Sequence, residues 1–175
     1  IHLTGYDYAQ NGAYFVTICV QDREYLFGDV VNGKMVLNDW GMVAKEEWEK
    51  SSVIRQDVIP GPHVVMPNHF HGIIEIVGVG CADPKLINNL GRNLQIIGRA
   101  QRAPTGNTKL GAFVGGFKSV VTRRIREIQS DDLIKIWQRG FYDRIIRNDD
   151  EYARICEYIA MNPENWGQDE ENINR

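Results

Sequence analysis

The sequence has no long hydrophobic run, little cysteine and no large excess of either charge, and each absence excludes a class of protein. No stretch approaches the ~20 uninterrupted apolar residues of a membrane-spanning helix, so no transmembrane segment is expected. The opening Ile1-His2-Leu3-Thr4-Gly5-Tyr6 does not read as a signal peptide, and the chain starts without an initiator Met, as a trimmed piece does. Cys19, Cys81 and Cys156 are far apart, with no Cys-x-x-Cys. That argues against a disulfide framework or a cysteine zinc site and fits a reducing cytoplasm. With 175 residues, 43% of them hydrophobic and 25% charged, the chain is expected to form one domain over 1–175 rather than a fibre or a disordered tail.

Although the net charge is only −3, the basic residues are not evenly spread. Between Lys85 and Arg126 lie nine of them (Lys85, Arg92, Arg99, Arg102, Lys109, Lys118, Arg123, Arg124 and Arg126) and no Asp or Glu. A basic block on an acidic background is suited to a polyanion, although it also describes a solvated loop and helix face.

Ala13–Gln21 is rich in β-branched and aromatic residues and reads as a buried strand. Asn32-Gly33 between short apolar runs predicts a hairpin over Val30–Val36. Trp40, Val43, Ala44 and Trp48 recur at helical spacing behind Asn38 or Asp39 as N-cap, which predicts a helix ending near Ser51-Ser52. Val53–Met66, interrupted by Pro60-Gly61-Pro62, and His69–Val77 read as two strands. From 78 to 108 the chain is Gly-, Asn- and Arg-rich without clear period, too long for an ordinary connection. A helix is predicted over Leu110–Ile128 with Phe113, Val114, Phe117, Val121, Ile125 and Ile128 as its apolar stripe. Ile134–Ile146 reads as a final strand or strand pair. Asn148 or Asp149 then caps a helix to Met161 that Asn162-Pro163 stops, and the acidic tail, 167–175, reads as frayed. The pattern implies an α+β layer: an antiparallel sheet of four or five strands with two main helices on one face.

His69-Phe70-His71 lies on a predicted strand, where period two sends both imidazoles to one face and Phe70 to the other. Two such rings can share a divalent metal, or can simply make hydrogen bonds on a half-exposed strand. On the last helix Tyr158 and Asn162 are i and i+4, hence neighbours on one face. Separately, Tyr158 reads as a tyrosine at the core's rim and Asn162 as a helix cap. Should that helix cross the sheet, two imidazoles and an amide oxygen would suit Mg²⁺ or Mn²⁺ acting on a phosphate, and Tyr158 would be placed as a covalent nucleophile.

Several motifs together resemble a known family. They are Val64-Val65-Met66-Pro67-Asn68-His69-Phe70-His71-Gly72-Ile73-Ile74, Phe117-Lys118-Ser119, Trp137-Gln138-Arg139 with Tyr142-Asp143-Arg144 and Ile146-Arg147-Asn148, and Tyr158-Ile159-Ala160-Met161-Asn162-Pro163. The chain resembles the REP-associated tyrosine transposases of the single-tyrosine HUH superfamily, from about Leu3 to Trp166, with Thr4–Tyr8 and Tyr14–Thr17 similar to that group's N-terminal region. The resemblance implies a ferredoxin-like fold related to the RNA-recognition fold. It also implies metal-dependent cleavage and rejoining of single-stranded DNA beside palindromic hairpins, in the cytoplasm, by a monomer or homodimer. His69, His71 and Asn162 match the metal ligands and Tyr158 the nucleophile that becomes 5′-phosphotyrosyl. The basic loop and second helix would track the DNA, with Lys109, Lys118, Arg123, Arg124, Arg126, Arg139 and Arg144 as candidate contacts. Segment 78–108 is longer than the family leads one to expect, and Arg144 stands where His is expected. Two other classes fit the same residues: a non-catalytic single-strand-binding module, and a metal phosphodiesterase that uses water.

Overall fold

A computed structural model describes residues 12–54, 57–77 and 109–172. The expectations for Thr4–Tyr8, Cys81, the 78–108 segment with Lys85, Arg92, Arg99 and Arg102, and 173–175 lie outside the described residues.

The alternation of β1 (Gly12–Cys19) sets the two sides of the fold. Tyr14, Val16 and Ile18 point to one face and are fully buried, while Ala13, Phe15, Thr17 and Cys19 point to the other. After β1 come a hairpin, β2 (Gly28–Val31) and β3 (Lys34–Leu37), then α1 (Asp39–Ile54), β4 (Val58–Val65) and β5 (His69–Ile76). α2 (Lys109–Gln129), β6 (Tyr142–Ile146) and α3 (Asp149–Met161) complete the order. The main sheet runs β4-β5-β1-β6 with every neighbouring pair antiparallel. Apart from the hairpin and α3, the chain follows the β-α-β-β-α-β path of the ferredoxin-like fold. Four strands form this sheet, because the hairpin makes a separate two-stranded one. Its turn is as the sequence requires: Asn32 (φ 52°) and Gly33 (φ 71°) are both left-handed, the combination of a type I′ turn.

Asn38 caps α1 by accepting from the Gly41 N–H at 3.0 Å. The helix continues past Ser51-Ser52 to Ile54, so Val53 and Ile54 are helical rather than the start of a strand. Pro60-Gly61-Pro62 stays within β4, an edge strand, where a register shift between Pro60 and His63 absorbs it.

α1 and α2 cover one face as expected, burying Trp48, Phe113 and Phe117 against Tyr14, Val16, Ile18, Phe70 and Ile74. α3 does not join them. Its stripe of Ile155 and Ile159 packs on Ala13, Ile73 and Ile146, an apolar floor on the opposite face. Ile128, expected on the α2 stripe, is exposed in the last turn of that helix. Only Tyr142–Ile146 of the expected final strand is strand; before it, Trp137 makes an isolated bridge to Val20. The intervening backbone is held from α2 instead. Lys118 Nζ donates to the Gln138 and Gly140 carbonyls (2.5 and 2.8 Å), and Arg126 donates twice to the Ile134 carbonyl.

Gly72, next to His71, is where α1 meets the sheet. A Cβ there would lie 2.5 Å from Cζ2 of Trp48, whose indole N–H donates to the Gly61 carbonyl. Gly72→Ala is therefore expected to cost about 1–3 kcal/mol of stability through overpacking, measured by denaturant melting. An unchanged midpoint would contradict this close fit.

Candidate active site and metal centre

His69 and His71 leave the same face of β5, with ring centroids 4.4 Å apart, and both are buried. This is the face α3 crosses. The neighbours of His69 decide which nitrogen that ring presents. Asn68 Nδ2 donates to the backbone carbonyls of Glu171 (2.7 Å) and Arg23 (3.3 Å). That leaves Asn68 Oδ1 to accept from His69 Nδ1 at 2.9 Å, so the lone pair of His69 sits on Nε2. Thr17, directly opposite His71 across β1 and β5, places its Oγ1 2.9 Å from His71 Nδ1. Such outer contacts orient imidazoles for a ligand on the far nitrogen.

Burial holds both rings neutral. It lowers the pKa of His69 to about 3, with help from the Arg23 guanidinium and against the Asn162 amide. Burial also drives His71 well below the usual histidine value, His69 adding to the shift and Asp169 opposing it. His63, packed between Trp48 and Phe70, is lowered by burial too, partly offset by Glu49. Since these histidines charge on unfolding, the unfolded state binds more protons below about pH 6.5 and acid favours it. The metal-free protein is expected to lose stability as pH falls from about 6.5 towards 5, by up to ~1.4 kcal/mol per pH unit for each such histidine. Thermal melts across that window check this, and a flat profile would contradict buried neutral rings.

α3 supplies the other half of the site. Asn148 starts this helix, its side chain accepting from the Glu151 N–H at 2.8 Å. One turn separates Tyr158 from Asn162, and both face the histidines. The Tyr158 hydroxyl is 3.3 Å from His71 Nε2, and its ring meets Phe15 edge-on at 6.0 Å, while Phe15 stacks on His71 at 5.1 Å. The phenol remains half exposed. Burial chiefly, and Asp169 next, raise its pKa, with Asn162 pulling the other way. A neutral phenol at neutral pH is a poor nucleophile until a cation or base favours the phenolate.

Asn162 is 2% exposed and donates from Nδ2 to Asp169 Oδ2 at 3.1 Å. Its Oδ1 and His69 Nε2 are buried atoms without a hydrogen bond of ordinary geometry among the described residues. Two unsatisfied buried acceptors are costly unless a cation or donor meets them. Asp169 completes the cluster: single ligand atoms from His69, His71 and Asp169 all lie within 4.8 Å of one another. Imidazole nitrogens with amide and carboxylate oxygens make a donor set that fits a divalent cation.

The sequence reading missed Asp169, and its expectation of a frayed tail beyond Trp166 is corrected through Asn172. Trp166–Gln168 forms a short 3-10 helix, Asn172 is buried, and Arg23 pairs with Glu171. Asp169 Oδ1 accepts from the Glu171 N–H at 2.7 Å. Thr17 and Asn68 were also missed as orienting residues, since only cross-strand register and the fold of the tail bring them to the rings.

A cavity of about 620 Å³ opens over the site, lined by His71, Tyr158, Asn162, Tyr142, Phe15 and Asp169 among others. The expected DNA-binding residues are placed differently. Lys118, Arg123, Arg124 and Arg126 lie on α2, across the sheet from this cavity. Lys118 and Arg126 hold backbone carbonyls as described, and Arg124 bridges Glu46 and Glu47 of α1. Arg123 is exposed, 4.0 Å from Glu127. Lys109 opens α2, half-buried, and Arg139 is exposed ahead of β6. Arg144 lies on the histidine face, opposite Phe15, and pairs with Glu151 at 2.6 Å.

The architecture is that of a solved REP-associated tyrosine transposase, a structure bound to a REP hairpin. The two align with a TM-score of 0.59 over 95% of this chain and 75% of that one, at 19% identity. A second solved chain, from Deinococcus radiodurans, aligns over 91% of this chain and 96% of its own at a TM-score of 0.44 and 13% identity. No protein-family model matches. The chain belongs to the family of a Haemophilus influenzae protein, described as uncharacterized, which is 38% identical over 172 residues, 97% of this chain and 90% of the other. No helix among the described residues is long and apolar enough to cross a membrane.

Proposed function

We propose that this protein is a single-tyrosine transposase of the HUH kind, which cleaves and rejoins single-stranded DNA beside palindromic hairpins in the cytoplasm. The observation that carries the reading is the convergence of His69, His71, Asn162 and Asp169 beneath the Tyr158 hydroxyl. The shared fold with a transposase bound to a REP hairpin supports the choice of substrate.

His69 Nε2, His71 Nε2, Asn162 Oδ1 and a carboxylate oxygen of Asp169 would hold Mg²⁺ or Mn²⁺. When bound, that cation polarises the scissile phosphate and favours the phenolate. Asp169, Glu170 and Glu171 make the lining acidic, a charge that would repel a phosphodiester unless a bound cation offset it. A lone pair on His71 Nε2 would not serve the Tyr158 hydroxyl and a cation together, so with His71 as a ligand the phenol would be free of that contact. Tyr158 Oη would give up its proton and attack phosphorus as the bond to the 3′ oxygen breaks, and that oxygen would take up a proton. One product keeps a free 3′ hydroxyl and the other a 5′-phosphotyrosyl link that conserves the phosphodiester's bond energy. Attack by a 3′ hydroxyl on this link reverses the step and rejoins DNA without ATP. On the helix side, Arg123 with Lys118 and Trp137 borders a second cavity of about 850 Å³ that would receive the hairpin backbone.

Incubation with a hairpin-bearing single-stranded oligonucleotide and Mg²⁺ or Mn²⁺ tests the reading on a denaturing gel. A slow protein–DNA band is expected. Cleavage without that band would identify water as the nucleophile, and binding without cleavage would identify a non-catalytic module.

A further inference from the structure

We infer that Tyr142 and Arg144 form a nucleotide subsite on β6 beside the nucleophile: the Tyr142 ring stacks on an unpaired base, and the Arg144 guanidinium meets a neighbouring backbone phosphate. The inference rests on single-stranded DNA as substrate. Its placement comes from sheet register. Tyr142 is directly opposite Thr17, which orients His71, and Arg144 is directly opposite Phe15, which touches both His71 and Tyr158. Side chains opposite one another in an antiparallel pair share a face, so both β6 residues stand beside the cavity on the histidine side.

Exposure separates Tyr142 from a core aromatic. Half of its surface is open, although the ring lines the same cavity as Tyr158. A ring left half in water at the rim of a polar cavity adds little to the fold, whereas a splayed base offers a flat partner of matching area. Among the described residues β6 is also an edge strand of the main sheet, an edge along which a single strand can approach. The cavity volume of about 620 Å³ falls in the range of small-molecule sites and suits a nucleotide.

Arg144 supplies the charge that this wall needs. One nitrogen, Nη2, is anchored on Glu151 Oε1 at 2.6 Å, yet the side chain is 67% exposed. A guanidinium has five N–H donors, so the anchor fixes its position while donors remain for a phosphate. Glu151 is itself held in the first turn of α3, where it accepts from the Arg147 N–H at 2.9 Å. The same contact therefore links the subsite to the helix that carries Tyr158.

Stacking can be read without chemistry. Tyr158→Phe protein in Mg²⁺ is titrated with a hairpin-bearing oligonucleotide whose single-stranded flank carries one 2-aminopurine, moved position by position. Quenching is expected at one flank position. It should persist in Tyr158→Phe/Tyr142→Phe, which keeps the ring, and vanish in Tyr158→Phe/Tyr142→Ala, with affinity falling about tenfold or more. Arg144→Ala should weaken binding and make its salt dependence shallower. Quenching at no position, or quenching that survives Tyr142→Ala, would overturn the inference. Because the assay lacks the nucleophile, intact quenching with no covalent adduct in the wild-type protein would refute the proposed reaction and leave the subsite standing.

Discussion

Tyr158→Phe is expected to fold, to bind hairpin-bearing single strands, and to form no covalent adduct, with cleavage reduced roughly a thousandfold or more, as when other covalent nucleophiles are removed. The substitution removes one oxygen and keeps the ring, so the edge-on contact with Phe15 survives and the helix should keep its place. Inside the protein the hydroxyl's contact with His71 Nε2 is lost, together with its interaction with the Asn162 side chain. That contact is at 3.3 Å to a half-exposed phenol, and its loss should move the melting temperature little. A large loss of activity with a nearly unchanged melt would therefore separate chemistry from architecture. Cleavage at the wild-type rate would remove Tyr158 from the reaction.

The second large effect is expected at the histidines. His71→Ala should abolish measurable Mn²⁺ binding by calorimetry and reduce cleavage to background, while binding of the hairpin stem survives. His71 turns Nε2 toward Tyr158 and is held at Nδ1 by Thr17, so its truncation removes one of the three clustered ligand atoms. Asn68→Ala should be milder, about 10–100-fold in metal affinity, because it removes the acceptor that fixes the His69 tautomer rather than a ligand. Equal effects from the two variants would argue that the site is held by packing alone. Retained Mn²⁺ affinity in His71→Ala would move the metal elsewhere.

The parts of this site that could be read in the sequence are those governed by local geometry. Period two on a strand puts His69 and His71 on one face, and helix pitch puts Tyr158 beside Asn162; both relations hold wherever the elements pack. The Asn32-Gly33 turn and the Asn148 cap are local in the same sense. Asp169 was not legible because its position depends on the path after α3. Two contacts distant in sequence, Asn68 with the Glu171 carbonyl and Arg23 with Glu171, fix that path together with the short-range bond from Asn162 to Asp169 itself. The acidic composition of that segment alone reads as solvated tail.

Charge pattern was informative in aggregate and silent on individual residues. Lys118 and Arg126 belong to the basic block, yet the segment before β6 has almost no strand partner and uses their donors for its carbonyls. Arg124 is matched by two glutamates of α1 that are nearly eighty residues away in sequence. The side on which α3 packs was open for a similar reason. An apolar stripe demands a floor, but only the assembled sheet shows that Ala13, Ile73 and Ile146 provide one opposite α1 and α2.

The most direct measurement is mass spectrometry of the protease-digested protein–DNA adduct, after nuclease trimming. The expected result is a 5′-linked nucleotide phosphate on the peptide containing Tyr158, formed only with divalent metal and absent from His69→Ala. A nucleotide on any other side chain, or an adduct that forms without metal, would contradict the account.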